Sequence, residues 1–146
     1  MRDAMMERFA QNDCAIMAAA VTDFTVTPAS EKIKKVAGLP SLQFELTADI
    51  VQDLVAKRTA SQVVVAFAAE TTNVIENARE KLQRKDVDLL VVNDVSAAGV
   101  GFEHATNEVV VLGRDGVAQP VSLRSKEAVA MAILARVASL LSQGAP

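Results

Sequence analysis

Three lysines, Lys32, Lys34 and Lys35, fall within four positions of a chain whose formal net charge is -3. A lysine ammonium is a mobile point charge suited to phosphate oxygens, so the cluster "KIKK" could offset a polyanion. It could equally be a solvated basic loop, the ordinary fate of a short charge run. Just upstream, "MAAAVTDF" joins Ala18, Ala19 and Ala20 to Asp23. Small side chains at a strand end let a ligand approach the backbone. Asp23 can take an amino group, a sugar hydroxyl or a magnesium ion, or it can cap a turn behind small core residues. Lys81 and Lys85 are four apart and share one face of a helix, although Glu80 and Arg84 beside them have the spacing of ordinary surface charge. Phe67 stands in or at the end of an apolar run, either as core or as a flank to a ligand. Asn93 and Asp94 end another such run, where they could recognise a substrate or start a turn.

Several chemistries are excluded. His104 is the only histidine and Cys14 the only cysteine. That leaves no His-based metal cluster, no Ser–His triad with a spare base and no disulfide framework, as in a reducing compartment. Cys14 lies in an apolar run and reads as a small buried hydrophobe. There is no G-x-x-x-x-G-K-[ST] and no G-x-G-x-x-G. "GVGF" at 99–102 is too short for either and precedes a hairpin rather than a helix. With a pI near 5.2, no Trp and no Tyr, the chain lacks both the charge and the stacking surfaces of a nucleic-acid binder. No apolar run approaches the roughly 20 residues that span a bilayer. The expectation is a soluble, cytoplasmic protein with no nucleic acid and no membrane among its partners.

These residues must be positioned by elements, and 146 residues suffice for one compact domain. Residues 1–11 have a helical rhythm. "CAIMAAAV" (14–21) suits a strand covered on both faces. Residues 25–41, with Pro28, Gly38 and Pro40, read as a long loop. "LQFEL" (42–46) is a short strand, and Thr47 caps the amphipathic helix of "TADIVQDLVAKR". "QVVVAFAAE" (62–70) and "VDLLVVND" (87–94) are buried strands. They flank a helix capped by Thr71 or Thr72. A hairpin over 108–123 turns at Arg114-Asp115-Gly116. A closing helix starts at Ser125 and stops before Gly144. The order is α/β, with a mainly parallel sheet. Ligands of such sheets bind beyond the carboxyl ends of the strands, which selects "AAVTDF", "FAAET" and "VVNDV".

Taken in order, "AAVTDF", "KIKK", "LTADIV", "FAAET", the "AREKLQRK" helix, "NDV" and "GF" before a hairpin resemble the phosphopantothenoylcysteine synthetase domain of bacterial coenzyme A biosynthesis. The resemblance covers nearly the whole chain. It implies a Rossmann-like three-layer fold and a homodimer. It also implies a ligase that joins 4′-phosphopantothenate to cysteine, using CTP and magnesium, through an acyl-cytidylate. Residue by residue, it makes Lys32 the catalytic lysine. Around the nucleotide it places Ala19, Ala20, Asp23, Lys32, Ala48, Asp49, Ile50, Val51, Phe67, Lys81 and Lys85. The "PDIV" of relatives is here Ala48-Asp49-Ile50-Val51, with Ala48 for the proline. Asn93 and Asp94 are substrate candidates. Magnesium would come with the nucleotide phosphates, Asp23 being a possible contact. FMN belongs to a decarboxylase often fused upstream in the family and is not expected in this chain.

The family's synthetase domain is longer at its N-terminus. The part without a counterpart here carries a glycine-rich strand–turn–helix and an asparagine that processes the acyl-cytidylate. The chain over 1–146 is therefore expected to be the C-terminal part of such a domain, able to bind a cytidine nucleotide but impaired in turnover alone. The alternative is a non-catalytic nucleotide-binding or dimerisation module, with the hairpin 108–123 at a subunit interface.

Overall fold

The computed structural model describes residues 1–34, 41–94 and 104–144, with Asp94 described by its backbone alone. Lys35 and the "GVGF" and "GF" motifs lie outside the described residues. The chain divides into two compact units. The larger holds Met1–Ala18 and Ile50–Pro146, and the smaller holds Ala19–Asp49.

In the larger unit, helix α1 (Arg2–Phe9) leads into strand β1 (Cys14–Met17). Helix α2 (Ile50–Lys57), strand β4 (Val63–Glu70), helix α3 (Val74–Lys85) and strand β5 (Leu89–Asp94) follow. Strands β6 (Thr106–Gly113) and β7 (Ala118–Ser125) form the hairpin, and α4 (Lys126–Gln143) closes the chain. The sheet order is β1-β4-β5-β6-β7. β1, β4 and β5 are parallel; β6 is antiparallel to both β5 and β7, so β7 runs with β5. This is the expected α/β, Rossmann-like three-layer arrangement with its hairpin and closing helix.

Alternation along the central strands builds two cores. Val64, Ala66, Leu90 and Val92 face α1, α2 and α3 through Phe9, Leu54, Ala78 and Leu82. Val63, Val65, Leu89 and Val91 face Val129, Ile133 and Val137 of α4. Burying one such side chain fully is worth about 1.5–3 kcal/mol, and the central strands supply most of them. The hairpin turns where Gly116 adopts φ +79, and Asp115 Oδ1 accepts from the Val117 amide at 3.0 Å. Ser125 caps α4 as expected, accepting from Ala128 N–H at 3.2 Å.

Several sequence expectations change. The run 14–21 is a strand only to Met17; Ala15 and Met17 are buried on one face, while on the other Cys14 is half-buried against the α4-side core and Ile16 remains 38% exposed. Within the stretch read as a loop, Phe24–Val26 forms β2, which pairs antiparallel with β3 (Phe44–Leu46) in the smaller unit. A strand of three exposed residues leaves too little periodicity to be seen. Thr47 does not cap α2: its hydroxyl donates to the Thr22 carbonyl, and the helix begins three residues later. Neither Thr71 nor Thr72 caps α3. Asn73 holds that position in a left-handed conformation, φ 46, without a side-chain cap bond. Asn tolerates this conformation better than a β-branched threonine would.

Candidate functional site

The expected ligand residues fall in both units. In the smaller one, the β2–β3 pairing brings two of the motifs side by side. Phe24 lies opposite Leu46, and the Thr47 amide donates to the Asp23 carbonyl at 2.9 Å. "TDF" and "TAD" are therefore adjacent although they are more than 20 positions apart in sequence. Ala19, Ala20, Asp23, Ala48 and Asp49 are exposed, as are Lys32 and Lys34. A groove of about 410 Å³ in this unit is lined by Val26, Pro28, Ile33, Leu42 and Glu45, among others. Ile33 directly follows Lys32.

In the larger unit, the site is set by strand ends. Ala69 stands opposite Asn93 and Glu70 opposite Asp94. The ends of "FAAE" and "VVND" are thus in register at the carboxyl pole. β4 is buried from Val63 to Ala66 and then opens, with Phe67 39% exposed. Of the two readings of Phe67, core or a flank to a ligand, its exposure goes against the first. α3 returns from this pole, and Lys81 Nζ donates to Glu70 Oε1 at 2.7 Å.

The sheet separates these groups. Val63 and Val65 pack towards α4, and the alternation carries Phe67 and Ala69 to the same face. Leu89 and Val91 do likewise, so Asn93 also belongs to the α4 face. Val64 and Ala66 pack towards α3, and Glu70 continues that series to meet Lys81. Asn93 Oδ1 is buried and, among the described residues, has no hydrogen-bond partner. Its ladder neighbours on either side, Ala69 and Val109, carry no side-chain donor. Ile50 packs into the core beside Leu54, so a ligand could meet it only through its backbone; Val51 is half-buried against the same cluster. Lys85 ends α3, one turn beyond Lys81.

Sequence reasoning did not single out Glu70. The available signal was a carboxylate at the end of a predicted strand, followed by a helix rich in lysine. Among the described residues, no group of three or more His, Cys, Asp or Glu is placed to hold a metal ion. No helix there is long and apolar enough to cross a membrane.

Comparison with known proteins supports the fold and gives the family. Over 144 residues the chain is 40% identical to the coenzyme A biosynthesis bifunctional protein CoaBC of Bacillus subtilis (strain 168), covering 98% of this chain and 35% of that protein. It is 36% identical over 142 residues to a cysteine/cysteine sulfinic acid decarboxylase from an unknown prokaryotic organism, covering 97% of this chain and 40% of that protein. The chain therefore spans well under half the length of these curated relatives. Among solved structures, the C-terminal domain of a CoaBC protein superposes with a TM-score of 0.75 at 30% identity, covering 97% of this chain and 61% of that one. The pattern of one family matches residues 1–141. The chain belongs to that family, the C-terminal domain of the DNA/pantothenate metabolism flavoproteins.

Proposed function

We propose that this chain is the carboxyl-terminal part of a CTP-dependent phosphopantothenate–cysteine ligase domain of coenzyme A biosynthesis. In this reading the carboxylate of 4′-phosphopantothenate attacks the α-phosphorus of CTP and pyrophosphate leaves. The amine of cysteine then attacks the acyl-cytidylate, forming the amide and releasing CMP. The first step brings two anions together, so cations must offset both the approach and the leaving charge. Lys32 is assigned to transition-state charge. Lys81 and Lys85 are assigned to the polyphosphate, and Ala19, Ala20, Asp23, Phe67 and the segment 48–51 to the nucleotide. Magnesium would arrive on the phosphates, with Asp23 as a possible contact.

The observation that carries this reading is the buried Oδ1 acceptor of Asn93 at the carboxyl end of β5, which has no partner among the described residues. A buried acceptor without a donor costs about 1–3 kcal/mol. It is best accounted for as a group held ready for a ligand N–H or O–H. It also lies at the pole where ligands of such sheets bind. The reading includes a homodimer and a cytoplasmic location. It expects the chain alone to bind nucleotide but to turn over poorly.

A second reading, a dimerisation module, is favoured by the smaller unit. Phe24, Phe44 and Leu46 are 59%, 69% and 79% exposed, and exposed apolar strands invite pairing with another chain. Thermal shift of the chain with CTP, with ATP and without nucleotide, each with magnesium, separates the two. Only a ligand bound by the folded state raises the melting temperature. The ligase reading expects CTP alone to stabilise the wild type, and Lys32→Ala to lose that effect. Equal shifts with ATP would refute the choice of CTP. No shift with either nucleotide would favour the dimerisation module, whose oligomeric state sedimentation would then report.

A further inference from the structure

We infer that Glu70 is a positioning residue that aims the ammonium of Lys81 at the carboxyl pole of the sheet. This rests on the proposed role of Lys81 in nucleotide binding. The pair joins two elements: Glu70 is the last residue of β4, and Lys81 lies two turns into α3. Their separation is 2.7 Å, and their side chains are only 15% and 29% exposed. Among the described residues, no other carboxylate forms a salt bridge with Lys81.

Stability alone is a weak reason for such a pair. Two largely desolvated charges repay little more than their lost hydration. A lysine, however, is a flexible four-carbon stem whose three donors can point in many directions. Anchoring one donor on a strand end fixes where the other two lie. Glu70 sits on a central strand, with its backbone in register against Asp94. The carboxylate thereby ties a mobile cation to a rigid frame, at the edge where the polyphosphate is proposed to bind. The binding energy is then not spent on ordering the lysine.

The test is a double-mutant cycle in CTP affinity, measured by calorimetry on the full chain with magnesium. Lys81→Ala is expected to weaken CTP binding about tenfold or more. Glu70→Ala is expected to weaken it by a similar factor, and the double variant no further than Lys81→Ala alone. Glu70→Gln, which keeps the size and an acceptor, should fall between wild type and Glu70→Ala. It takes the place of Glu70→Ala in the cycle if the alanine variant does not fold. Wild-type affinity in the Glu70 variants, with Lys81→Ala still impaired, overturns the inference and makes the pair purely structural. A Glu70 effect that persists in the Lys81→Ala background also overturns it. Unchanged affinity in Lys81→Ala instead refutes the nucleotide role of Lys81, and a wild type that binds no CTP refutes the proposed function on which the inference rests.

Discussion

Arg58 and Asp88 meet at 2.8 Å at the pole of the sheet opposite the candidate site, where Asp88 Oδ2 also accepts the Val64 amide at 2.8 Å. Asp88 is 3% exposed. One carboxylate thus fastens the start of β5 to β4 and to the end of α2. Arg114, from the hairpin turn, adds a longer contact to the same group at 3.6 Å. Removing Asp88 leaves the Val64 amide unpaired and the largely buried Arg58 with Asp86 alone, at 3.3 Å, as its partner. Asp88→Ala is therefore expected to lose about 3–5 kcal/mol of stability, read as a lower urea midpoint. A loss below about 1 kcal/mol would mean that the network is not holding the sheet.

Asn93 should behave in the opposite way. Among the described residues its buried Oδ1 has no donor to lose, so Asn93→Leu is expected to leave the unliganded chain unchanged or raise its stability by about 1 kcal/mol. The same variant should weaken nucleotide or substrate binding. Denaturation without ligand checks the first statement and calorimetry the second. A clear loss of unliganded stability would show that the amide is a structural group.

Cys14 gives a pH signature. Burial, reinforced by Asp88 and Asp13, pushes its thiol up from 9.0 to about 11. In the folded chain the proton is retained at pH values where the unfolded chain has already lost it. The unfolded state then binds fewer protons, so stability should fall as pH rises from about 9 to about 11. Cys14→Ala should flatten that slope. Alkylation of the folded wild type should be slow at pH 8 and accelerate towards pH 11, because the thiolate is the reacting species. Rapid alkylation at pH 8 under native conditions would contradict this.

The central elements were legible because local pattern and tertiary role coincide. The runs "VVVA" (63–66) and "LLVV" (89–92) are continuous and apolar, and both are buried between two helical layers. The Asp-Gly turn and the Ser125 cap declare themselves through backbone geometry that few residues satisfy. The caps of α2 and α3 were misplaced because threonine is a generic signal. The Thr47 hydroxyl had a competing partner in the Thr22 carbonyl, which only the pairing of β2 with β3 brings within reach.

By itself, the sequence determined the α/β order, the buried strands, the basic clusters and the family to which the chain belongs. All of these are properties of short segments read in order. Tertiary structure alone decided which groups meet. Glu70 faces Lys81 because strand alternation and the return of α3 put them on one side of the sheet. Among the described residues Asn93 Oδ1 has no partner, and its ladder neighbours, Ala69 and Val109, offer no side-chain donor. Asp88 is buried among charges from α2 and the hairpin turn. Such contacts join residues far apart in the chain, and hydrogen bonding depends on distance and direction in space, of which a linear pattern carries no record.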